Sequence, residues 1–376
     1  MGSLALRNLL HDKVRLAVTL TGIVFAVVLI VVQFGLFVGF MRTTSNNIDH
    51  AGADLWISYP GVRNFDQGHA LPERKRWQAL AVPGVAQAEK YIMGFTQWKR
   101  PDGSQETVEI VGFELNSGMG GPWNVVSGSV RDLELPDSVI IDEAYREKLN
   151  VSRIGDTVEI NDRRARVVGF TRDIRSFTTS PFVFASVKNA LNYMDKTTHE
   201  DQTTYVLVKG EPGVNLADLK QRLISSIGNV DVRDRAEFAY MTEFYWMFTT
   251  GAGTAVLIAA AMGLIVGVVV VAQTIYATTM DHLKEYGTLK AMGAANSFVY
   301  RVIIDQAAIS AVIGYVLGML VSVVIVHYTK GGGAVITLDA PMAAGMFAVT
   351  LFMCITAALV SINKVTRIDP AMVFKG

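Results

Sequence analysis

The chain has 376 residues, equal numbers of acidic and basic side chains and a formal net charge of zero. Half of it is apolar and its mean hydropathy is positive, a balance that soluble domains rarely reach. Zero net charge without a basic cluster argues against nucleic-acid binding, which needs Lys and Arg facing phosphates. The single cysteine, Cys354, lies inside an apolar run, so neither a disulfide framework nor a thiolate metal site is expected.

In chain order, residues 1–15 read as a cytoplasmic amphipathic helix, and residues 16–40 as the first membrane span. That span carries no charged residue and exceeds the ~20 apolar positions that cross a bilayer core. It is also longer than the ~7–15-residue apolar run of a cleaved signal peptide, and the A-x-A sequence at Ala51 to Ala53 sits far beyond it. Residues 41–243 read as a soluble domain on the far side of the membrane. Alternating runs at 53–58, 107–113, 138–141, 157–160, 165–170 and 204–209, bounded by Gly, Pro, Asn and Asp, predict strands. Helices are expected at 73–81, 143–149 and 216–227, the last with Leu216, Leu219, Leu223 and Ile227 at helical spacing. The mixture predicts an α+β domain. It holds no H-E-x-x-H, C-x-x-C or G-x-S-x-G. His50, His69 and His199 stand apart in sequence, and the acidic residues form no obvious catalytic pair, so neither a metal site nor an enzyme active site is expected.

The second span is assigned to 244–279, with its uncharged core at 254–277. Aromatic residues crowd its outer end, at Phe244, Tyr245, Trp246 and Phe248. They fit either an aromatic belt at the membrane interface or a rigid helical stalk that continues the span outward. A cytoplasmic loop at 280–305 follows, then a third span at 306–328, a short outer loop at 329–341, a fourth span at 342–362 and a cytoplasmic tail at 363–376. The Lys and Arg residues set the orientation. Arg7, Lys13 and Arg15 precede span one, Lys284, Lys290 and Arg301 lie between spans two and three, and Lys364, Arg367 and Lys375 follow span four. Positive residues mark the cytoplasmic side, so both termini and the 280–305 loop face the cytoplasm. The fold class is therefore a membrane α-helical protein, four spans arranged one plus three, with a large extracytoplasmic α+β domain inserted between the first two. Gly263 and Gly267, and Gly314 and Gly318, have the small-xxx-small spacing that lets helix backbones approach in lipid. The spans are almost free of charge, with Gln33 and Gln273 the main polar side chains, so the buried groups of an ion relay are missing.

The loop sequence DHLKEYGTLKAMGA is amphipathic: Leu283, Tyr286, Leu289 and Met292 share one face of a short helix. It resembles the cytoplasmic loop of MacB/FtsX-type ABC permeases, whose pattern is roughly E-R-x-x-E-[IF]-G-x-[LM]-[KR]-A-[LMI]-G-[AM]. Glu285, Gly287, Leu289, Lys290, Ala291, Gly293 and Ala294 match, while Asp281, His282 and Tyr286 depart mildly. The basic lead-in to span one, the WQALAVPGVAQAEKYI segment and the VTRIDPAMVFKG tail, through Arg367, Pro370, Phe374 and Lys375, are similar to the same family, closest to its DevC-like branch.

The resemblance implies a bacterial, multi-pass inner-membrane permease that is itself not an enzyme. It implies a homodimer seated on a separate ABC ATPase that binds ATP and magnesium, with no cofactor in this chain. The segment around Leu283, Glu285, Tyr286 and Gly287 would be the coupling helix. The absence of a G-x-x-x-x-G-K-[ST] loop agrees with a motor on another chain. The resemblance further implies mechanotransmission or export of a hydrophobic or lipid-like cargo, with a membrane-fusion protein, an outer-membrane channel and membrane lipid as partners. An FtsX-like relay that activates a cell-wall hydrolase without transport is the alternative.

Overall fold

The computed structural model describes residues 13–178, 180–194, 199–282, 285, 287–288, 292, 294–329 and 335–366. The chain divides into two units. One comprises residues 1–38, 254–330 and 336–376, and the other residues 39–253 with 331–335.

The first unit is built from long apolar helices: α1 (Lys13–Thr44), α7 (Ala252–Asp281), α8 (Asn296–Thr329) and α9 (Ala340–Thr366). Each contains a stretch long and apolar enough to cross a membrane. At 1.5 Å per residue the 30 residues of α7 extend about 45 Å, more than the ~30 Å hydrocarbon core requires. These helices are apolar all round. Ile258, Ile265, Leu320, Val324 and Phe352 stand exposed, as on helices that face an apolar medium. Their shared core is formed by Ile23, Ala26, Val27, Ile30 and Val31 of α1, at helical spacing, with Val271 and Ile275 of α7, Ile303 and Ala311 of α8, and Cys354 and Ala358 of α9. Both glycine pairs meet α1. A Cβ on Gly267 would stand 2.8 Å from Ile30 Cδ1, and one on Gly318 would stand 2.7 Å from Val27 Cγ1. Gly263 faces Gln33 and Gly314 faces Ile23. Tyr315 ties α8 to α9, donating its hydroxyl hydrogen to the Ala343 carbonyl at 2.7 Å.

The second unit is an α+β domain around one large sheet. Its strands are β1 (Leu55–Ser58), β3 (Val85–Lys99), β4 (Gln105–Phe113), β5 (Val125–Gly128), β6 (Ser138–Asp142), β7 (Thr157–Ile160), β8 (Arg163–Thr171), β9 (Phe182–Ser186), β11 (Tyr205–Gly210) and β12 (Asp231–Asp234). They run in the order β12-β1-β11-β3-β4-β9-β6-β8-β5, with β7 bridging β3 and β8. Most neighbours are antiparallel, and β4–β9 and β6–β8 are parallel. A short ladder, β2 (Leu71–Pro72) with β10 (Gln202–Thr203), stands apart. The small helices are α2 (Asn46–His50), α3 (Arg74–Leu80), α4 (Val187–Tyr193), α5 (Leu216–Ile227) and α6 (Arg235–Phe244).

Period-two alternation sends the side chains of β3 and β4 to two different cores. Tyr91, Met93, Val111 and Phe113 enter one with Trp56, Phe65, Phe184, Tyr205 and Phe238. Trp98, Val108 and Ile110 enter the other with Val139, Ile141 and Tyr193. A third core forms where Leu219, Leu223 and Ile227 of α5 cover Leu55, Ile57, Val206 and Val208. Asn215 caps α5 by accepting from the Ala217 and Asp218 amides, and Gly228, at φ +61°, ends it. Leu216 shares the helical period but lies beside this cap and is exposed.

Two expectations are corrected. The helix expected over 143–149 is only a 3₁₀ turn, Glu143–Tyr145, because Asp142 accepts from the Ala144 and Ile174 amides and pins the chain into a tight corner. A second span running unbroken from residue 244 is also not found. Residues Tyr245–Thr249 form a π-helix, Gly251 takes φ +77°, and the regular helix starts at Ala252. A left-handed residue cannot continue an α-helix, so Gly251 separates this segment from α7.

Candidate functional site

Two places gather polar groups that the fold alone does not require. The first is the end of α7 and the loop after it. α7 closes with threonines at 274, 278 and 279, whose hydroxyls donate to the carbonyls of Val270, Thr274 and Ile275. Thr278 has thereby used its one hydrogen, so in its 2.9 Å contact with Thr19 of α1 it is the Thr19 hydroxyl that donates. Thr19, Thr278, Thr279 and, from α8, Gln306 and Ser310, with Ile275, Ile303 and Ala307 beside them, line a cavity of about 30 Å³. His282, one residue beyond α7 and only 7% exposed, forms part of the same wall. Its Nδ1–H donates to Glu285 Oε2 at 3.0 Å, while the Glu285 side chain itself is 56% exposed.

Of the coupling residues expected from sequence, the structure describes Glu285, Gly287 and Ala294. Glu285 is exposed, Gly287 buried and Ala294 half-buried. Leu283, Tyr286, Leu289, Lys290, Ala291 and Gly293, and the tail residues Arg367, Pro370 and Phe374, lie outside the described residues. Sequence reasoning overlooked the hydroxyl-lined cavity. The adjacent threonines in IYATT, at the cytoplasmic end of a span, were the signal for it.

The second place is inside the extracytoplasmic domain. Trp246 of the π-helix donates its indole hydrogen to Asp66 Oδ2 at 2.7 Å, and its ring meets Phe177 edge-on at 4.6 Å. Tyr245 donates to Gln67 Oε1 at 3.3 Å. These two aromatics therefore pack on their own domain. Phe244 and Phe248 instead stand exposed with Tyr240, ring on ring along one side.

Close by in the sheet, Glu109 of β4 stands opposite Phe95 and Phe182, fully buried, and neither carboxyl oxygen has a hydrogen-bond partner. Burial, and then the field of Asp66, hold its carboxyl well above the usual carboxylate range. Burial also raises Asp66 from 3.8 to about 6, against the Trp246 hydrogen bond that lowers it. Both folded-state values lie above the unfolded ones. The stability these groups contribute is therefore complete at low pH and lost as pH rises through the folded value. For Asp66 the window runs from about pH 4 to somewhat above 6, and the loss amounts to roughly 3 kcal/mol. The full-length chain should accordingly unfold at a lower temperature at pH 8 than at pH 5. Asp66→Asn, which still accepts from Trp246, should flatten that profile. Glu109→Met, which removes the unpaired group from apolar surroundings, should stabilise the chain by about 1–3 kcal/mol at pH 8. Thermal unfolding across this pH range checks both, and an unchanged profile in Asp66→Asn would contradict the assignment.

Four helices long and apolar enough to span a bilayer, with a large domain inserted between the first two, define a multi-pass membrane protein. The MacB-like periplasmic core domain family matches residues 16–226, and the FtsX-like permease C-terminal family matches residues 246–370. The chain belongs to the MacB/FtsX-type ABC transporter permeases. It is 24% identical over 383 residues to an uncharacterized ABC transporter permease of Mycobacterium tuberculosis, covering 99% of each chain. A second uncharacterized ABC transporter permease, from Mycobacterium bovis, is 22% identical with the same coverage. Among solved structures, the periplasmic region of MacB from Actinobacillus actinomycetemcomitans matches at TM-score 0.38 and 16% identity, covering 51% of this chain and 94% of that one. The extracellular domain of the transporter YknZ from Gram-positive bacteria matches at TM-score 0.37 and 14% identity, covering 48% and 99%. An ABC transporter permease works with an ATP-binding partner subunit.

Proposed function

We propose that this chain is the permease of an ATP-driven export or mechanotransmission complex in a bacterial inner membrane. In this reading it is a non-catalytic homodimer seated on a separate ATPase, and ATP and magnesium are bound by that partner. The observation that carries the reading is the exposed Glu285 directly after α7, at the acidic position of the family's cytoplasmic-loop pattern. ATP favours one arrangement of the permease dimer over another. The segment at 280–305 moves with α7, and the displacement reaches the extracytoplasmic domain. There it moves a hydrophobic or lipid-like cargo at the outer face or in the periplasm, together with a membrane-fusion protein and an outer-membrane channel, as in the DevC-like branch.

Charge reversal at an exposed side chain costs little stability. Glu285→Lys should therefore leave the chain folded in the membrane while lowering permease-dependent ATPase stimulation by about tenfold, a loss of ~1.4 kcal/mol in coupling. ATPase assays of the complex in lipid, beside the thermal unfolding of the variant, check this. Normal stimulation by the lysine variant would remove Glu285 from the coupling contact.

A further inference from the structure

Glu285 is an exposed helical residue beyond α7, and an exposed carboxylate holds no fixed orientation unless something buried fixes it. His282 is that buried partner. It is three residues earlier in the chain, 7% exposed, and its Nδ1–H reaches Glu285 Oε2 at 3.0 Å. The imidazole also forms part of the wall of a cavity lined by Thr19, Thr278, Thr279, Gln306 and Ser310 together with the apolar Ile275, Ile303 and Ala307. The Thr278 and Thr279 hydroxyls have given their hydrogens to the carbonyls of Thr274 and Ile275, so toward the cavity they present acceptor oxygens. Packing of an apolar bundle does not call for a polar wall shared by three helices. The ring is thus seated against α1, α7 and α8 on one side and bonded to the loop carboxylate on the other.

We propose that His282 is the positioning residue of the coupling segment. Its imidazole, anchored in the polar wall where α1, α7 and α8 meet, holds Glu285 in the orientation presented to the ATPase and carries displacement of the segment into those helices. This rests on the reading of 280–305 as the ATPase-facing segment. It adds a residue outside the matched positions of the loop pattern, and it makes α1 a recipient of the motion along with α7.

The test is a double-mutant cycle in the complex of permease and its ATPase reconstituted in lipid, with His282→Ala, Glu285→Gln and both together. His282→Ala is expected to lower stimulated ATPase activity about five- to tenfold while the ATPase still co-purifies, and the double variant should be no worse than the poorer single one. His282→Gln, which keeps an N–H donor toward Glu285, should recover at least half of the activity. Stimulation at the wild-type level in His282→Ala, or losses that multiply in the double variant, would overturn the proposal. Failure of both the Ala and the Gln variants to accumulate in the membrane would do so too, because it would make the residue a folding requirement.

A second readout needs no ATPase. A spin label on Thr288→Cys, an exposed position, can be followed in the permease alone, since the native Cys354 is buried. Its mobility should rise in His282→Ala and stay near the wild-type level in His282→Gln. A label indifferent to His282→Ala contradicts the positioning role. A label that responds in a chain that neither binds nor stimulates an ATPase leaves the positioning role standing and removes the coupling reading instead.

Discussion

Gly318→Leu combined with Gly267→Leu is expected to prevent the membrane helices from assembling. Both glycines lie against α1. At Gly318 even a methyl group would stand 2.7 Å from Val27 Cγ1, 2.8 Å from Val27 Cβ and 3.4 Å from the Val24 carbonyl oxygen. At Gly267 it would stand 2.8 Å from Ile30 Cδ1 and 3.5 Å from the Ala26 Cβ. Val27 and Ile30 are themselves buried in the shared core, so neither has space to withdraw. Overpacking costs about 1–3 kcal/mol at each site. Helix association in lipid depends on close packing rather than on hydrophobic burial, so the loss is not recovered elsewhere. The double variant should be recovered largely as aggregate in mild detergent, where the wild type should elute as a single species. Gly345→Leu supplies the control: nothing lies within 4 Å of a Cβ there, and it should behave as wild type. Equal loss in the double variant and in the control would mean that the packing against α1 is not what holds the bundle.

Trp56→Ala should unfold much of the extracytoplasmic domain. The ring is 1% exposed and meets Phe65, Tyr91, Tyr205 and Phe238 at centroid distances of 5.8, 5.7, 5.7 and 5.4 Å. It is the hub of an aromatic core that includes strands β1, β3 and β11 and helix α6. Truncating such a residue costs about 3–5 kcal/mol, a large part of the ~5–15 kcal/mol that holds a domain together. Trp56→Phe should be far milder. It keeps most of the ring, and it removes an indole N–H that is buried without a hydrogen-bond partner. Trp77, exposed on α3, should tolerate alanine within about 0.5 kcal/mol. Limited proteolysis and thermal unfolding of the three variants rank these effects, and a Trp77→Ala loss equal to that of Trp56→Ala would contradict the aromatic core as the domain's centre.

The one-plus-three arrangement of spans and the α+β character of the insert were legible because each rests on local periodicity. An uncharged apolar run of span length can be covered all round only by lipid, and short alternating runs between turn residues read directly as strands. β3 was not legible, although it is the longest strand and, with β4, feeds two cores. Its sequence mixes Glu89, Lys90, Gly94 and Gln97 into the apolar pattern. Lys90 is buried only because it pairs with Glu73 and the Glu200 carbonyl, and Gly94 leaves room for Met194, both contacts between residues distant in sequence. β12, with the sequence DVRD, is charged because it lies at the edge of the sheet. Glu109 and the cavity beside His282 were invisible for the same reason. Each depends on groups brought together from separate segments, whereas the loop pattern around Glu285 is contiguous in sequence.

The measurement that bears most directly on the account is mild-detergent isolation of the chain from its native membranes, with mass-spectrometric identification of what accompanies it. The account predicts an ABC ATPase in stoichiometric amount, together with a membrane-fusion protein. A cell-wall hydrolase in place of the fusion protein would turn the function from export to signal relay. Isolation without any ATPase, under conditions in which other membrane complexes survive, would contradict the claim that this permease is driven by ATP.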